Sequence, residues 1–299
     1  MRLLSLTVIL SLCIVANCAS AQAPEASLKA TELVPGITMF EGQGAFTGGN
    51  VVLLTGEEAI VLIDDGLEPY SDLYLRTFEE YAMRPVDFVI TTHVHPDHIG
   101  ANRELRMAGA TIVAHDNIRR HMLENGLATH DGRRPAEPSE LPQITFSDKV
   151  TFHLNGYTAQ VIHLPHAHTD GDSFIHVDEA NVILAGDAFF NGLFPYIDLD
   201  NGGTVGGFLA AQRQMLALAD DDTKIASGHG PSGNKAALQA AHDMLADADA
   251  RIKALIDDGK SEDEIVAANP LADYHDGWNW GFITTERMTR TLYRSNSTK

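Results

Sequence analysis

Short apolar runs alternate with stretches of helical periodicity along most of the chain. Short runs of apolar, often β-branched residues between glycine or polar turns predict strands. These predicted strands are residues 37–40, 50–54, 59–64, 86–90, 110–114, 150–154, 157–164, 174–177, 181–184 and 223–226. Apolar positions that recur at the spacing of one helix face predict helices. The predicted helices are residues 70–83, 103–108, 115–124, 204–218 and 234–257, and Ser261 begins a further one.

The pattern contains no internal repeat, low-complexity tract or interdomain linker, so residues 22–299 are predicted to form one domain. Residues 126–142 are rich in glycine and proline and are predicted to form a long loop. Loops of that length are often lids over a functional site, so this one is a candidate lid. His115 and His121, on the helix before it, are predicted to be surface histidines.

Residues 1–21 are predicted to be a secretory signal peptide. Arg2 supplies a positive charge, residues 3–15 are apolar, and Ala19-Ser20-Ala21 is a typical cleavage site. The apolar run is too short to span a bilayer. The alternative is a lipid anchor on Cys18. We therefore expect a periplasmic or secreted protein.

The composition and net charge exclude some metal ligands and some classes of binding partner. Both cysteines, Cys13 and Cys18, lie inside the predicted signal peptide, so the mature chain would have neither a disulfide nor a thiolate metal ligand. The formal net charge is −20. An acidic surface repels nucleic acid and anionic membranes, so we expect no nucleic-acid partner and a small-molecule substrate.

The most informative stretch is Thr92-His93-Val94-His95-Pro96-Asp97-His98, which concentrates imidazoles and a carboxylate. These are the side chains that bind zinc through nitrogen and oxygen. The stretch follows the predicted strand 86–90 and precedes a helix. It should therefore lie at the carboxyl edge of a sheet, where α/β proteins place their ligands.

The pattern His93-x-His95-x-Asp97-His98 resembles the metal motif of the metallo-β-lactamase superfamily. Other landmarks of that family follow in order along nearly the whole mature chain. They are Asp64-Asp65-Gly66, His168-Thr169 with Gly171 and Ser173, Gly186-Asp187, and Gly228-His229. His166 is an alternative to His168. The resemblance implies an α/β fold, an αββα sandwich with two mixed sheets flanked by helices.

The resemblance also implies two zinc ions per chain. His93, His95 and His168 would hold the first ion. Asp97, His98 and His229 would hold the second, and Asp187 would bridge the two together with a hydroxide. Asp97 and Asp187 are the expected catalytic residues, with Asp97 orienting the nucleophile or taking its proton. Asp64 would support a metal-bound histidine from behind.

The implied reaction is hydrolysis of an ester, lactone, thioester or strained amide. The bridging aspartate resembles the lactonase branch more than the true β-lactamases, which remain an alternative. Two other classes stay open: a mononuclear iron oxidoreductase similar to persulfide dioxygenases, and a binding protein that only keeps the fold. Phe190, Asn191, Tyr196 and Lys224 are the predicted pocket residues. Because Arg213 is the only cationic residue between positions 150 and 223, we expect neutral lactones or esters to be preferred over anionic β-lactams.

Overall fold

The computed structural model describes residues 25–129 and 132–297. The predicted signal peptide and both cysteines lie outside the described residues. The described strands are β1 Ser27–Val34, β2 Ile37–Gln43, β3 Val51–Leu54, β4 Val61–Ile63, β5 Phe88–Thr91, β6 Thr111–His115, β7 Leu127–Thr129, β8 Gly132–Arg134, β9 Ile144–Phe146, β10 Lys149–Leu154, β11 Tyr157–His163, β12 Ser173–Val177, β13 Val182–Leu184, β14 Lys224–Ala226 and β15 Gly233–Asn234.

The first five described helices begin and end close to their predicted bounds, and the sixth begins where Ser261 predicts it. They are α1 Ser71–Ala82, α2 Asn102–Met107, α3 Asp116–Asn125, α4 Val205–Leu218, α5 Lys235–Asp257, α6 Glu262–Ala268, α7 His275–Trp278 and α8 Thr285–Ser297. Local capping explains several of the starts. Thr204 and Asn234 each accept a hydrogen bond from a backbone N–H in the first turn of α4 and α5. Ser261 and Glu264 form a capping box at the start of α6.

The strands form two mixed sheets. The first has the order β1-β2-β3-β4-β5-β6-β9, antiparallel as far as β4 and parallel beyond it. The second has the order β10-β11-β12-β13-β14-β15, with one parallel pair, β13 and β14. The parallel pairs arise where helices such as α1 and α2 connect successive strands, because a parallel neighbour needs a crossover.

The main core lies between the two sheets, where Ile63 and Ile90 of the first sheet belong to the same buried cluster as Ile175 and Leu184 of the second. The outer face of the first sheet packs against α1 and α2, which contribute Phe78 among others. The outer face of the second sheet packs against α4 and α5. The layers are therefore αββα, and the predicted fold is confirmed.

Three details differ from the sequence expectation. Residues 126–142 are not loop throughout, because β7 and β8 pair as a short hairpin. His115 is buried rather than on the surface, and its ring stacks on His163 at a centroid distance of 3.7 Å. The strands β1, β9 and β15 and the helices α7 and α8 were not predicted. Within residues 25–129 and 132–297, no helix is long and apolar enough to cross a membrane.

Candidate metal centre

The fold brings the ends of four strands to one place. Asp64 follows β4, His93 follows β5, Asp187 follows β13 and His229 follows β14. Both pairs, β4–β5 and β13–β14, are parallel, so each pair delivers its carboxyl ends to the same edge of its sheet. His168 enters from the turn between β11 and β12. The sandwich thus places residues that are far apart in sequence around one buried space.

Asp64 fixes the conformation of the histidine-rich loop. One carboxylate oxygen accepts the backbone N–H of Thr92 at 2.7 Å, and the other accepts the Thr92 hydroxyl at 2.7 Å. The second oxygen also lies 2.8 Å from Nδ1 of His98. Asp64 is buried and adopts a positive φ of 58°. The sequence prediction placed Asp64 behind a metal-bound histidine without saying which one, and in the structure it contacts His98.

A first group of ligand atoms comes from His93, His95, His168 and Asp187, which all lie within 4.8 Å of one another. Nε2 of His168 is 2.8 Å from Nδ1 of His95 and 3.5 Å from Oδ2 of Asp187. Nε2 of His93 is 3.7 Å from the same carboxylate oxygen. The atoms converge as the first side of a metal site would require.

A second group consists of Asp97, His98 and His229, again within 4.8 Å. Nε2 of His229 is 3.4 Å from Oδ2 of Asp97. Asp187 reaches this group as well, because its Oδ1 is 3.2 Å from Nε2 of His98 and its Oδ2 is 3.4 Å from Nε2 of His229. The Asp187 carboxylate therefore lies between the two groups.

In His93, His95 and His168, the ring nitrogen that is not directed at the other ligands also contacts a polar group. Nδ1 of His93 is 3.0 Å from the Thr92 hydroxyl, and Nδ1 of His168 is 2.7 Å from the carbonyl of Tyr196. Nε2 of His95 is 2.8 Å from Oδ2 of Asp198. Such contacts fix the ring orientation and aim the remaining nitrogen at a metal. Sequence reasoning missed Asp198, since it has no local motif and meets His95 only through the fold.

Several buried polar atoms of the cluster make no hydrogen bond, although they lie close to one another. Among the described residues, these include Nε2 of His93, Nε2 of His98 and Oδ1 of Asp187. Buried polar atoms without a hydrogen bond are costly, so a cluster of them at one point suits a bound cation. A donor set of imidazoles and carboxylates suits zinc and related divalent ions. The residues present therefore fit a metal.

The pKa values of the histidines differ between the two groups. In the first, burial lowers the pKa of His93 well below its usual range, and the charge of His98 adds to the effect. Burial, reinforced by His95, lowers the pKa of His168 to about 4. Both imidazoles are thus neutral at neutral pH, the form that binds a metal.

In the second group the carboxylates dominate. Burial lowers the pKa of His229, but Asp187 and Asp97 outweigh it and raise the value to about 9. Burial likewise opposes charge on His98, yet Asp187, Asp97 and Asp64 raise its pKa well above the usual range. Burial raises the pKa of Asp97, but His98 and His229 bring it down to about 2. Without a metal, this group holds its protons on the imidazoles.

His166 lies outside the cluster. Its side chain is exposed, and Nδ1 lies 2.9 Å from the carbonyl oxygen of Gly202. Its backbone has a φ of 55°, which turns the chain sharply before the buried His168. Of the two histidines considered for this ligand position, His168 is the one that faces the other imidazoles.

A cavity of about 470 Å³ opens above the cluster, and Phe190 and Tyr196 are among its lining residues. Two predicted pocket residues lie elsewhere. Asn191 donates through its side-chain amide to the carbonyls of Pro231 and Ser232, and so holds the loop that carries His229. Lys224 is exposed at the start of β14, whereas the site lies beyond the end of that strand. We therefore withdraw both as pocket residues.

Sequence reasoning missed much of the cavity wall. Phe46 comes from the connection between β2 and β3, Trp280 and Phe282 come from the segment between α7 and α8, and Arg133 comes from β8. None of these residues lies near a metal motif in sequence. The aromatic residues are visible in the sequence as apolar positions outside the predicted strands and helices, but nothing local indicates that they meet at the site.

An αββα sandwich with a histidine and aspartate cluster at its strand ends defines the class as metal-dependent hydrolases. The family model described as the metallo-beta-lactamase superfamily matches residues 44–240. The chain belongs to this superfamily.

Relatives and solved structures agree with this placement. A probable metallo-hydrolase of Bacillus subtilis is 24% identical over 185 residues, covering 61% of this chain and 85% of that protein. A metallo-beta-lactamase from Pontibacter korlensis has a TM-score of 0.59 at 18% identity, covering 73% of this chain and 99% of its own. A sec-alkylsulfatase from a Pseudomonas species has a TM-score of 0.68 at 16% identity, covering 90% of this chain and only 50% of its own. At such identities the solved structures show a shared fold.

Proposed function

We propose that this protein is an exported hydrolase that uses two zinc ions to open an ester, lactone or strained amide bond of a small neutral molecule. The observation that carries the proposal is the position of Asp187. One buried carboxylate lies within 4 Å of ligand nitrogens from both groups, His93 and His168 on one side and His98 and His229 on the other. A carboxylate shared in this way is suited to two adjacent cations rather than one.

The residues would divide the work as follows. His93, His95 and His168 would hold one ion, Asp97, His98 and His229 the other, and Asp187 would contact both. When bound, such ions lower the pKa of a water molecule, polarise a carbonyl group and stabilise the developing oxyanion.

Asp97 would orient the attacking water and accept its proton. Its side chain keeps 18% exposure where the ligands around it are buried, and it lines the cavity. With its pKa at about 2 it is ionised at neutral pH. The Asp97 carboxylate can therefore orient an attacking water and accept its proton at Oδ2. Asp187, also a predicted catalytic residue, would position the ligand nitrogens around it.

Elemental analysis of the purified protein tests this proposal directly. We expect close to two zinc ions per chain, and chelators should abolish hydrolysis of lactones and aryl esters. One iron per chain would instead favour the oxidoreductase class. Full metal content without turnover of any ester, lactone or β-lactam would favour a binding protein.

The balance of charge at the site supports neutral substrates, because the carboxylates on the cavity wall would offset much of the charge of the two bound ions. Asp97, Asp187 and Asp198 all line the cavity. Arg133 is a cation on its wall, but its Nε and Nη2 donate to the carbonyls of Asn125 and Gly126. An anionic β-lactam needs a free cationic partner. We expect kcat/KM to be higher for a neutral lactone than for a penicillin or a carbapenem. Efficient penicillin hydrolysis that is lost in Arg133→Ala would contradict this and identify a β-lactamase.

Export rests on the sequence of residues 1–21 alone. Mass spectrometry of the mature protein should find Gln22 at the N-terminus. A lipid on Cys18 would identify the anchored alternative.

A further inference from the structure

The cavity has an aromatic wall that the proposed hydrolysis does not require. We call it the aromatic wall and define it as Phe190, Tyr196, Trp280 and Phe282. Ring centroids are 6.2 Å apart between Phe190 and Trp280, 5.6 Å between Trp280 and Phe282, and 5.3 Å between Phe282 and Tyr196. These distances are typical of direct aromatic contact, so the rings form one continuous apolar surface.

The wall is held in place by specific bonds. Nε1 of Trp280 donates to the carbonyl of Phe194 at 2.9 Å, and the backbone N–H of Phe194 donates to the carbonyl of Trp278 at 2.7 Å. These bonds tie the segment between α7 and α8 to the loop that follows Asp187. A surface that is already ordered does not lose entropy when a ligand binds, so it favours tight contact.

Arg287 secures the outer end of the wall. Its guanidinium carbon lies 4.1 Å from the ring centroid of Phe282 and 5.2 Å from that of Tyr196. Its Nη1 also donates to the carbonyl of Phe282 at 3.1 Å. Arg287 therefore makes cation–π contacts with both rings, and it is a positioning residue for Phe282 and Tyr196.

The wall is larger than a small acyl group needs. The cavity of about 470 Å³ falls in the range of pockets that enclose drug-sized ligands. Two rings at the mouth of the cavity remain exposed: Phe282 is 47% exposed and Phe46 is 57% exposed. The Phe46 ring also stacks on the His229 ring. A two-carbon substrate bound at the metal ligands would leave both rings in water.

We infer that Trp280 and Phe282 determine substrate specificity by selecting esters or lactones whose non-reacting part is an uncharged alkyl or aryl group. This inference rests on the proposed hydrolase function. The family model matches residues 44–240, and Trp280 and Phe282 lie after that range. The inference therefore assigns the selectivity to a segment outside the family match. The wall offers apolar contact rather than a free charge, so a charged tail would lose hydration without compensation.

The first test measures binding without catalysis. The chain has two tryptophans, Trp278 and Trp280, so in Trp278→Phe the tryptophan emission comes from Trp280 alone. Neutral alkyl amides of increasing length, which are not cleaved, should bind the metal-loaded protein with affinity that rises with length and should change the Trp280 emission. Equal affinity for short and long amides would overturn the inference.

The second test compares p-nitrophenyl acetate with p-nitrophenyl octanoate. We expect the wild type to prefer the octanoate, and Trp280→Ala and Phe282→Ala each to lower that preference roughly tenfold, since each removes much of a ring contact. The readout is the ratio of kcat/KM for the octanoate to kcat/KM for the acetate, so that a general effect of the substitution on the site cancels. Tyr81→Ala is the matched control for Phe282→Ala, because Tyr81 is 49% exposed and contacts Phe40 on another face of the molecule.

The two tests separate failure of the inference from failure of the function. Hydrolysis of both esters with no effect of chain length, in the wild type and both variants, would overturn the inference and leave the hydrolase intact. Length-dependent amide binding without hydrolysis of any ester would support the apolar wall and reject the proposed reaction. Phe282→Ala keeps the test valid even if Trp280→Ala fails to fold.

Discussion

The two ligand groups lie side by side, yet they are prepared differently for a metal. In the first group, His93 and His168 are neutral because burial lowers their pKa values. In the second group, His98 and His229 hold protons because Asp97 and Asp187 raise their pKa values. The first group can accept a cation at once, whereas the second must release protons first. Neighbouring sites of similar composition can therefore differ in affinity and pH response.

The difference follows from where the carboxylates lie. Asp97 belongs to the second group only, and Asp187 is closest to it, at 3.2 Å from His98 against 3.5 Å from His168. A nearby negative charge favours the imidazolium, and burial alone favours the neutral ring. We therefore expect the first group to fill first at neutral pH.

The largest effect should come from removing the carboxylate that the groups share. Asp187→Ala should reduce the metal content from two ions towards one and lower hydrolysis by roughly a thousandfold, because paired ions supply several kcal/mol of transition-state stabilisation. Elemental analysis and lactonase assays measure both quantities. Asp178→Ala, which removes an exposed carboxylate elsewhere, is the control. Retention of both ions would contradict the shared role of Asp187.

The next effect concerns pH. Since the pKa of His229 is about 9 without a metal, binding at the second group must release a proton at pH 7, and its affinity should rise with pH up to that value. For the His229 proton alone, the expected gain between pH 7 and pH 9 is roughly fiftyfold, because half of the rings are still protonated at pH 9. The affinity of the first group should stay nearly constant over this range, because the pKa of His168 is already about 4.

Titration calorimetry in two buffers of different ionisation enthalpy counts these protons. Binding of the first equivalent should release fewer protons than binding of the second. Equal proton release for both equivalents would mean that the groups do not differ as described.

A smaller effect should come from the two carboxylates that each hold a histidine ligand in place. Asp198→Asn loosens His95 of the first group, and Asp64→Asn loosens His98 of the second. Loss of such a support typically lowers metal affinity tenfold to a hundredfold, so we expect roughly tenfold for each variant. Competition with a chelating dye should find the Asp198→Asn loss in the first equivalent. The Asp64→Asn loss should be larger in the second equivalent than in the first, because Asp64 contacts His98 directly and His93 only through Thr92. Equal losses in both equivalents from both variants would show that the supports are not specific.

The smallest effect should come from Thr92, which touches both groups. Its hydroxyl donates to Asp64 behind His98 and lies 3.0 Å from Nδ1 of His93. Thr92→Val should weaken both ions by similar factors of roughly three to ten, the range for a single hydrogen bond. Thr92→Ser keeps the hydroxyl and should restore both affinities. A loss confined to one equivalent would show that Thr92 serves only one group.

The sandwich was predicted from the resemblance to the family, whereas strong local signals predicted most of its strands and helices. The strands on both sides of the core are short apolar runs between glycine and polar turns, and Thr204, Asn234 and Ser261 begin their helices as caps. The edge strand β1 was missed because its residues are mostly exposed and carry no apolar alternation. The short strands β7 and β8 were missed because they are largely exposed and lie in a segment rich in glycine and proline.

By itself, the sequence determined which residue types could bind a metal, and the loop of residues 92–98 brings its own imidazoles and carboxylate together through local geometry. Only the tertiary structure decided what surrounds them. Asp198 meets His95 and the aromatic wall meets the cavity across large sequence separations. Lys224, close to His229 in sequence, lies at the far end of its strand. Contacts of this kind depend on how layers pack, and no local pattern of residues encodes that packing.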